Sequence, residues 1–172
     1  MALLVALSAC SEAAPVGDTG WQPRGSGWTA EDTGEAAPPQ VVLNELVSGR
    51  SDGGPDWIEL YNAGEAEAFL TGWRLGDDPE GEGWPFPADA AVAPGGFLVV
   101  FASDEEGEPG ELHADFKLSG SGETVLLWDA QGEVADEVVV PELEDDHSYA
   151  REGDGGETWA VSASPSMGAQ NG

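Results

Sequence analysis

From residue 40 onward the sequence predicts an all-β domain, and three observations carry that prediction. Apolar residues come in runs of strand length, several alternating with polar residues at a period of two. Glycine, proline and acidic residues separate those runs as turns. No stretch carries a helical period.

Val41 to Val47 reads as the first strand. The segment Ser48 to Pro55 turns the chain into a second, Asp56 to Asn62, with Ile58 and Leu60 on one face. A third is expected over Phe69 to Gly76, where Phe69, Thr71, Trp73 and Leu75 alternate with Leu70, Gly72, Arg74 and Gly76. Trp73 is the candidate core tryptophan, and Gly72 marks a bulge or a close approach. Pro94-Gly95-Gly96 turns into Gly96 to Phe101, which is apolar on both faces and so expected to be packed on two sides. Glu123 to Asp129, Val134 to Val140 and Thr158 to Ser162 complete the set. Two carboxylates fall in phase with apolar positions: Glu45 with Leu43 and Val47, Glu59 with Trp57 and Tyr61. Half-buried carboxylates find donors, so both are expected to accept backbone hydrogen bonds at strand ends.

The chain has 172 residues, enough for one ordinary domain with extra segments. Its 34 Asp and Glu against five Lys and Arg give a formal net charge of −29. Nucleic-acid binding rests on cationic side chains that displace counterions, and an anionic membrane surface attracts only cations, so neither is an expected electrostatic partner. The acidity reads as a solvated surface. The single cysteine, Cys10, leaves no disulfide to form within the chain.

Several motifs, taken in order, resemble a known family. They are Leu43-Asn44-Glu45-Leu46, Asp56-Trp57-Ile58-Glu59-Leu60-Tyr61-Asn62, and Leu70-Thr71-Gly72-Trp73-Arg74-Leu75 followed by Asp77-Asp78. After them come Trp84-Pro85-Phe86, Pro94-Gly95-Gly96, Phe116-Lys117-Leu118-Ser119 and Ser148-Tyr149-Ala150-Arg151. Asp154-Gly155, Trp159 and the tail Ser164 to Asn171 close the series. Together they resemble the lamin tail domain of bacterial secreted proteins over nearly all of residues 41 to 171. Ala150 stands where that family often has glycine, and Met167 and Gln170 where it often has proline. The resemblance implies an immunoglobulin-like β-sandwich without the antibody disulfide, with Glu45, Trp57, Glu59, Tyr61, Trp73 and Trp159 as motif or core positions. It implies no catalytic residues. Relatives attached to lamin rods engage proteins and chromatin, but with so few cations here DNA binding is not carried across.

Residues 1 to 9 read as a signal peptide, an apolar run closing on small residues before Cys10. Leu7-Ser8-Ala9-Cys10 resembles the bacterial lipobox, which implies cleavage before Cys10, acylation of its thiol and a lipid anchor in the membrane. No Lys or Arg precedes the run, which a start codon upstream of Met1 would account for. Residues 10 to 39 are rich in Ser, Glu, Thr, Gly and Pro, with Trp21 and Trp28 isolated among glycines; they read as a flexible tether, ahead of a domain at 40–172.

Little chemistry is legible. Gly49-Arg50-Ser51-Asp52-Gly53 fits G-x-S-x-G, but a strand rather than a helix follows, so it reads as a turn. His113 and His147 have no zinc spacing, and no phosphate loop is present. Asp77, Asp78, Glu80 and Glu82 offer the hard oxygens calcium prefers, outside the EF-hand register, so no cofactor is expected unless calcium. The expectation is an extracytoplasmic, lipid-anchored domain of the cell envelope that binds or scaffolds a protein or envelope polymer. Its rival is an accessory or cryptic hydrolase domain that uses surface carboxylates, with calcium as its ion.

Overall fold

The computed structural model describes residues 40–105 and 107–172. Twelve strands form in chain order: β1 (Val41–Val47), β2 (Asp56–Asn62), β3 (Ala68–Phe69), β4 (Arg74–Gly76), β5 (Trp84–Pro85) and β6 (Ala91–Val92). They continue as β7 (Phe97–Ala102), β8 (His113–Ala114), β9 (Glu123–Trp128), β10 (Val134–Val140), β11 (Ser148–Arg151) and β12 (Trp159–Ser162). A six-stranded sheet, β12-β11-β1-β2-β7-β8, faces a four-stranded one, β10-β9-β4-β5, and β3 pairs β6 in a short ribbon. Every pairing is antiparallel except β7 with β8. This is the immunoglobulin-like sandwich that the motifs implied.

The core lies between the sheets. Val41, Leu43, Leu46, Ile58, Leu60 and Val100 come from the larger one, and Leu75, Val125, Leu127, Val138 and Val140 from the smaller. Trp73 is 5 % exposed within that cluster, as its alternation suggested. The strands β1, β2 and β10 coincide with the expected spans, and β9 ends one residue sooner.

Three expectations are corrected. The third strand breaks in two, because Gly72 takes φ +84 and its amide neighbour Trp73 turns back to Leu70 O at 2.9 Å. The phase therefore slips: Leu70, Trp73 and Leu75 are buried while Phe69 is 61 % exposed. A Cβ on Gly72 would stand 3.3 Å from Ala130 Cβ, so it is also the close approach foreseen. The strand from Phe97 is not fully packed on both sides; Val100 and Ala102 are buried, but Phe97, Val99 and Phe101 stay only half-buried on the outer face. A β-bulge between Leu43 and Glu45 also shifts β1, pairing Leu43 with Leu60 but Glu45 with Glu59. Glu45 thus leaves the core face that Leu43 occupies, and keeps phase with Val47 only.

Candidate functional site

The bulge builds a buried polar seam on the outer face of β1 and β2. Asn44, Glu45 and Glu59 are each 1 % exposed or less. Asn44 Nδ2 donates to Glu59 Oε1 at 3.0 Å and to Asp154 Oδ1 at 3.1 Å, and its Oδ1 accepts from Gly155 N at 3.1 Å. The C-terminal strap, residues 163–171, lies across this seam. Ser166 donates its N–H (2.9 Å) and its hydroxyl (2.8 Å) to Glu45 Oε2, and Gly168 N donates to Glu59 Oε2 at 2.6 Å. Asn171 bonds Asp154 Oδ1 through its backbone N–H, and the carbonyls of Asn44 and Arg151 through its amide. Both glutamates thus accept backbone hydrogen bonds as expected, though in mid-strand and from a distant segment. Burial pushes the Glu59 carboxyl up to about 7, against the opposing pull of Asn44 and Gly168, with Glu45 and Asp154 adding to the rise.

Beside the seam, Arg151 ties the sheets together. Its Nε donates to Leu43 O at 2.6 Å and a terminal nitrogen to Asp136 Oδ2, on β10, at 2.7 Å. Asp136 Oδ2 also accepts from Leu43 N at 2.8 Å, and the guanidinium lies over the Trp159 ring at 4.6 Å. Trp159 in turn stacks on Tyr149.

A second arrangement sits at the far edge, where β8 runs parallel to β7. Ser103 Oγ lies 2.7 Å from His113 Nδ1, and His113 Nε2 lies 3.2 Å from Glu111 Oε2. With Nε2–H donating to Glu111, Nδ1 accepts the Ser103 hydroxyl; the bond to His113 holds the Glu111 carboxyl below its ordinary range. These residues line a cleft of about 620 Å³ with Arg50, Phe101, Lys117 and, from the strap, Met167. Acyl transfer needs amides free to hold an oxyanion, and the next two are engaged. Asp104 N donates to Ala114 O, and Glu105 N to Ser103 Oγ itself. Sequence spacing gave no signal for this trio, because only the parallel β7–β8 pairing brings Ser103 to His113.

The remaining candidates are scattered. Ser51 of the G-x-S-x-G match gives its N–H and hydroxyl to Asp146, in a turn that leads into β2. His147 Nδ1 contacts Asp145 O, far from any second histidine. Asp78 caps its own turn by accepting from Glu80 N at 2.9 Å, and Asp77, Asp78, Glu80 and Glu82 do not converge. Among the described residues no three His, Cys, Asp or Glu side chains gather as a metal-binding group. Trp57 is buried on the outer face, and Tyr61 packs against Phe97 with the rings tilted by 39° and their centroids 5.3 Å apart. Cys10, Trp21 and Trp28 lie outside the described residues.

The model of one family, Lamin Tail Domain, matches residues 34–142. The chain belongs to the lamin tail domain family. No curated protein matches it. The lamin tail domain is a non-enzymatic immunoglobulin-like module, which agrees with the engaged amides beside Ser103. The match stops at 142, yet the turn between β11 and β12 and the strap supply most partners of the Asn44–Glu45–Glu59 seam. In this lamin tail domain, then, the motif carboxylates of β1 and β2 hold the chain's own C-terminal segment.

Proposed function

We propose that the chain is a bacterial lipoprotein, anchored through Cys10, whose extracytoplasmic lamin tail domain acts as a non-catalytic binding or scaffolding module at the cell envelope. One observation carries the binding role: Phe97, Val99 and Phe101 form a half-buried apolar strip on the outer face of β7, where among the described residues no second sheet covers them. Grouped apolar side chains on an otherwise strongly charged surface mark contact sites. Tyr61 and Met167 extend the strip. With a net charge of −29 around it, the fitting partner is a protein or envelope polymer that offers apolar contact and cationic groups. Leu7-Ser8-Ala9-Cys10 and the polar segment to residue 39 support a membrane tether that leaves the domain free to reach it.

The test has two arms. Produced in a bacterium from an upstream start codon, the protein should partition into detergent with acylated Cys10, and Cys10→Ser should release it; a free thiol on membrane-purified protein refutes the anchor. The Cys10→Ser chain, used as bait on native envelope extract, should retain a partner that Val99→Asp and Phe101→Asp lose. Equal retention by those variants refutes the strip as the binding surface.

A further inference from the structure

Glu45 and Glu59 are direct cross-strand partners on one face of the sheet, and among the described residues no cation is bonded to either. Both oxygens of Glu59 already accept an N–H, from Asn44 and from Gly168. Glu45 Oε2 accepts both Ser166 donors, but Glu45 Oε1 is buried with no hydrogen-bond partner. A buried acceptor without a donor is rare and asks for an explanation. The surroundings supply none. Trp57 and Tyr61 flank Glu59 on β2, and β7 presents Val99 opposite it. The β11–β12 turn contributes Asp154, another carboxylate. From β11, Arg151 is committed to Leu43, Gly156 and Asp136, and the strap from Ala163 to Asn171 carries no ionisable side chain.

Like charges directly opposite in a sheet repel, and two carboxyl groups confined to one site retain a proton between them. We propose that Glu45 and Glu59 share a single proton, and that this proton latches the C-terminal strap onto the sheet. It resides on Glu59 and is donated to Glu45 Oε1, the oxygen of this carboxyl pair that has no partner among the described residues. A Glu59 carboxyl that burial has raised to about 7 agrees with this. When the proton leaves to solvent, two negative charges remain side by side in a buried seam. Relief comes from hydrating them, which requires the strap to lift. Met167 sits between the two latching amides and forms part of the wall of the Ser103–His113 cleft, so the same step opens that wall.

The experiment measures hydrogen exchange at the Ser166 and Gly168 amides of the full chain between pH 5.5 and 8.5, corrected for base catalysis. Protection should hold below about pH 6 and fall at least roughly tenfold by pH 8, alongside a carboxyl step in the ¹³C titration of Glu59. Glu45→Gln is the decisive variant. Its side-chain NH₂ stands where Oε1 was and donates to Glu59, replacing the proton, so protection at pH 8 should exceed that of the parent about tenfold. Lower protection in Glu45→Gln would mean that the new amide has no acceptor, and would overturn the proposal. Histidines ordinarily titrate in this window, so His113→Asn serves as a control and should leave the step in place; loss of the step there also overturns it. Should Glu45→Gln fail to fold, the parent's titration decides: no carboxyl step between pH 6 and 8 refutes the shared proton.

Discussion

Replacing Arg151 with methionine should destabilise the domain by about 3–5 kcal/mol, the range expected when one partner of a buried ion pair is removed. The side chain of Arg151 is 9 % exposed and that of Asp136 is 16 %. Methionine keeps most of the aliphatic stem, so the loss falls on polar partners rather than on packing. Leu43 O loses the donor at 2.6 Å, Gly156 O loses another, and Asp136 is left as a largely buried carboxylate with no cation, holding only the N–H groups of Leu43 and Glu137. A stranded acceptor costs about 1–3 kcal/mol, and the lost contact with Trp159 adds about 0.5–1 kcal/mol. Most of the penalty is thus the unpaired charge. Asp136→Asn in the Arg151→Met background removes that charge while keeping an oxygen for Leu43 N–H, and should recover about 1–2 kcal/mol. Urea unfolding followed by tryptophan fluorescence measures both. An Arg151→Met variant within about 1 kcal/mol of the parent would refute the reasoning. So would a double variant less stable than the single one.

Three further outcomes follow from the same structure. Trp73→Ala should cost about 3–5 kcal/mol as a large core cavity, whereas Phe69→Ala, on an exposed side chain, should fall within about 0.5 kcal/mol; equal costs in urea would contradict the turn at Gly72. Glu59 releases its proton near pH 7 when folded, against its ordinary value of 4.5, so between those values the folded chain holds the proton more tightly than the unfolded one. Stability from this group should therefore be full below about pH 4.5 and fall by up to about 3 kcal/mol as pH rises through 7. Urea melts of the parent against Glu59→Gln, which removes the titrating group, isolate that slope, and parallel curves would contradict it. The melting temperature should rise smoothly with NaCl, because salt screens self-repulsion over roughly 10 Å at 0.1 M. Millimolar Ca²⁺ in high salt should add nothing, and a saturable gain lost in Asp77→Asn or Asp78→Asn would install a calcium site after all.

What the sequence made legible was whatever depends on local alternation. Ile58 and Leu60 sit on the core face because β2 is regular over its whole length. The failures sit where one residue breaks the period. At Gly72 a positive φ converts an apparent strand into a turn and exchanges the exposure of Phe69 and Leu70. At Asn44 a bulge moves Glu45 off the face of Leu43, and nothing in Leu43-Asn44-Glu45-Leu46 announces it. The strip on β7 was misread for a different reason. Alternation tells which residues share a face, but not whether another layer covers that face. Long-range pairings were out of reach altogether: Glu45 to Ser166 and Ser103 to His113 depend on topology.

The motif carboxylates invite a functional reading, and the geometry redirects it. Glu45 and Glu59 are almost fully enclosed, and every donor they meet belongs to this chain, so they present no face to a partner. Their work is closure: they fix the strap over β1 and β2, while Arg151 and Asp136 fix the edge of the sandwich beside it. That closure stops short of β7. The outer strip of Phe97, Val99 and Phe101 stays half-buried rather than enclosed, bordered by Met167 of the strap. In the proposed binding role, a partner meets apolar contact at the margin of the strap. If the proposed latch holds, any change that lifts the strap, whether a substitution at Ser166 or loss of the proton shared by the glutamates, should alter that surface without touching β7.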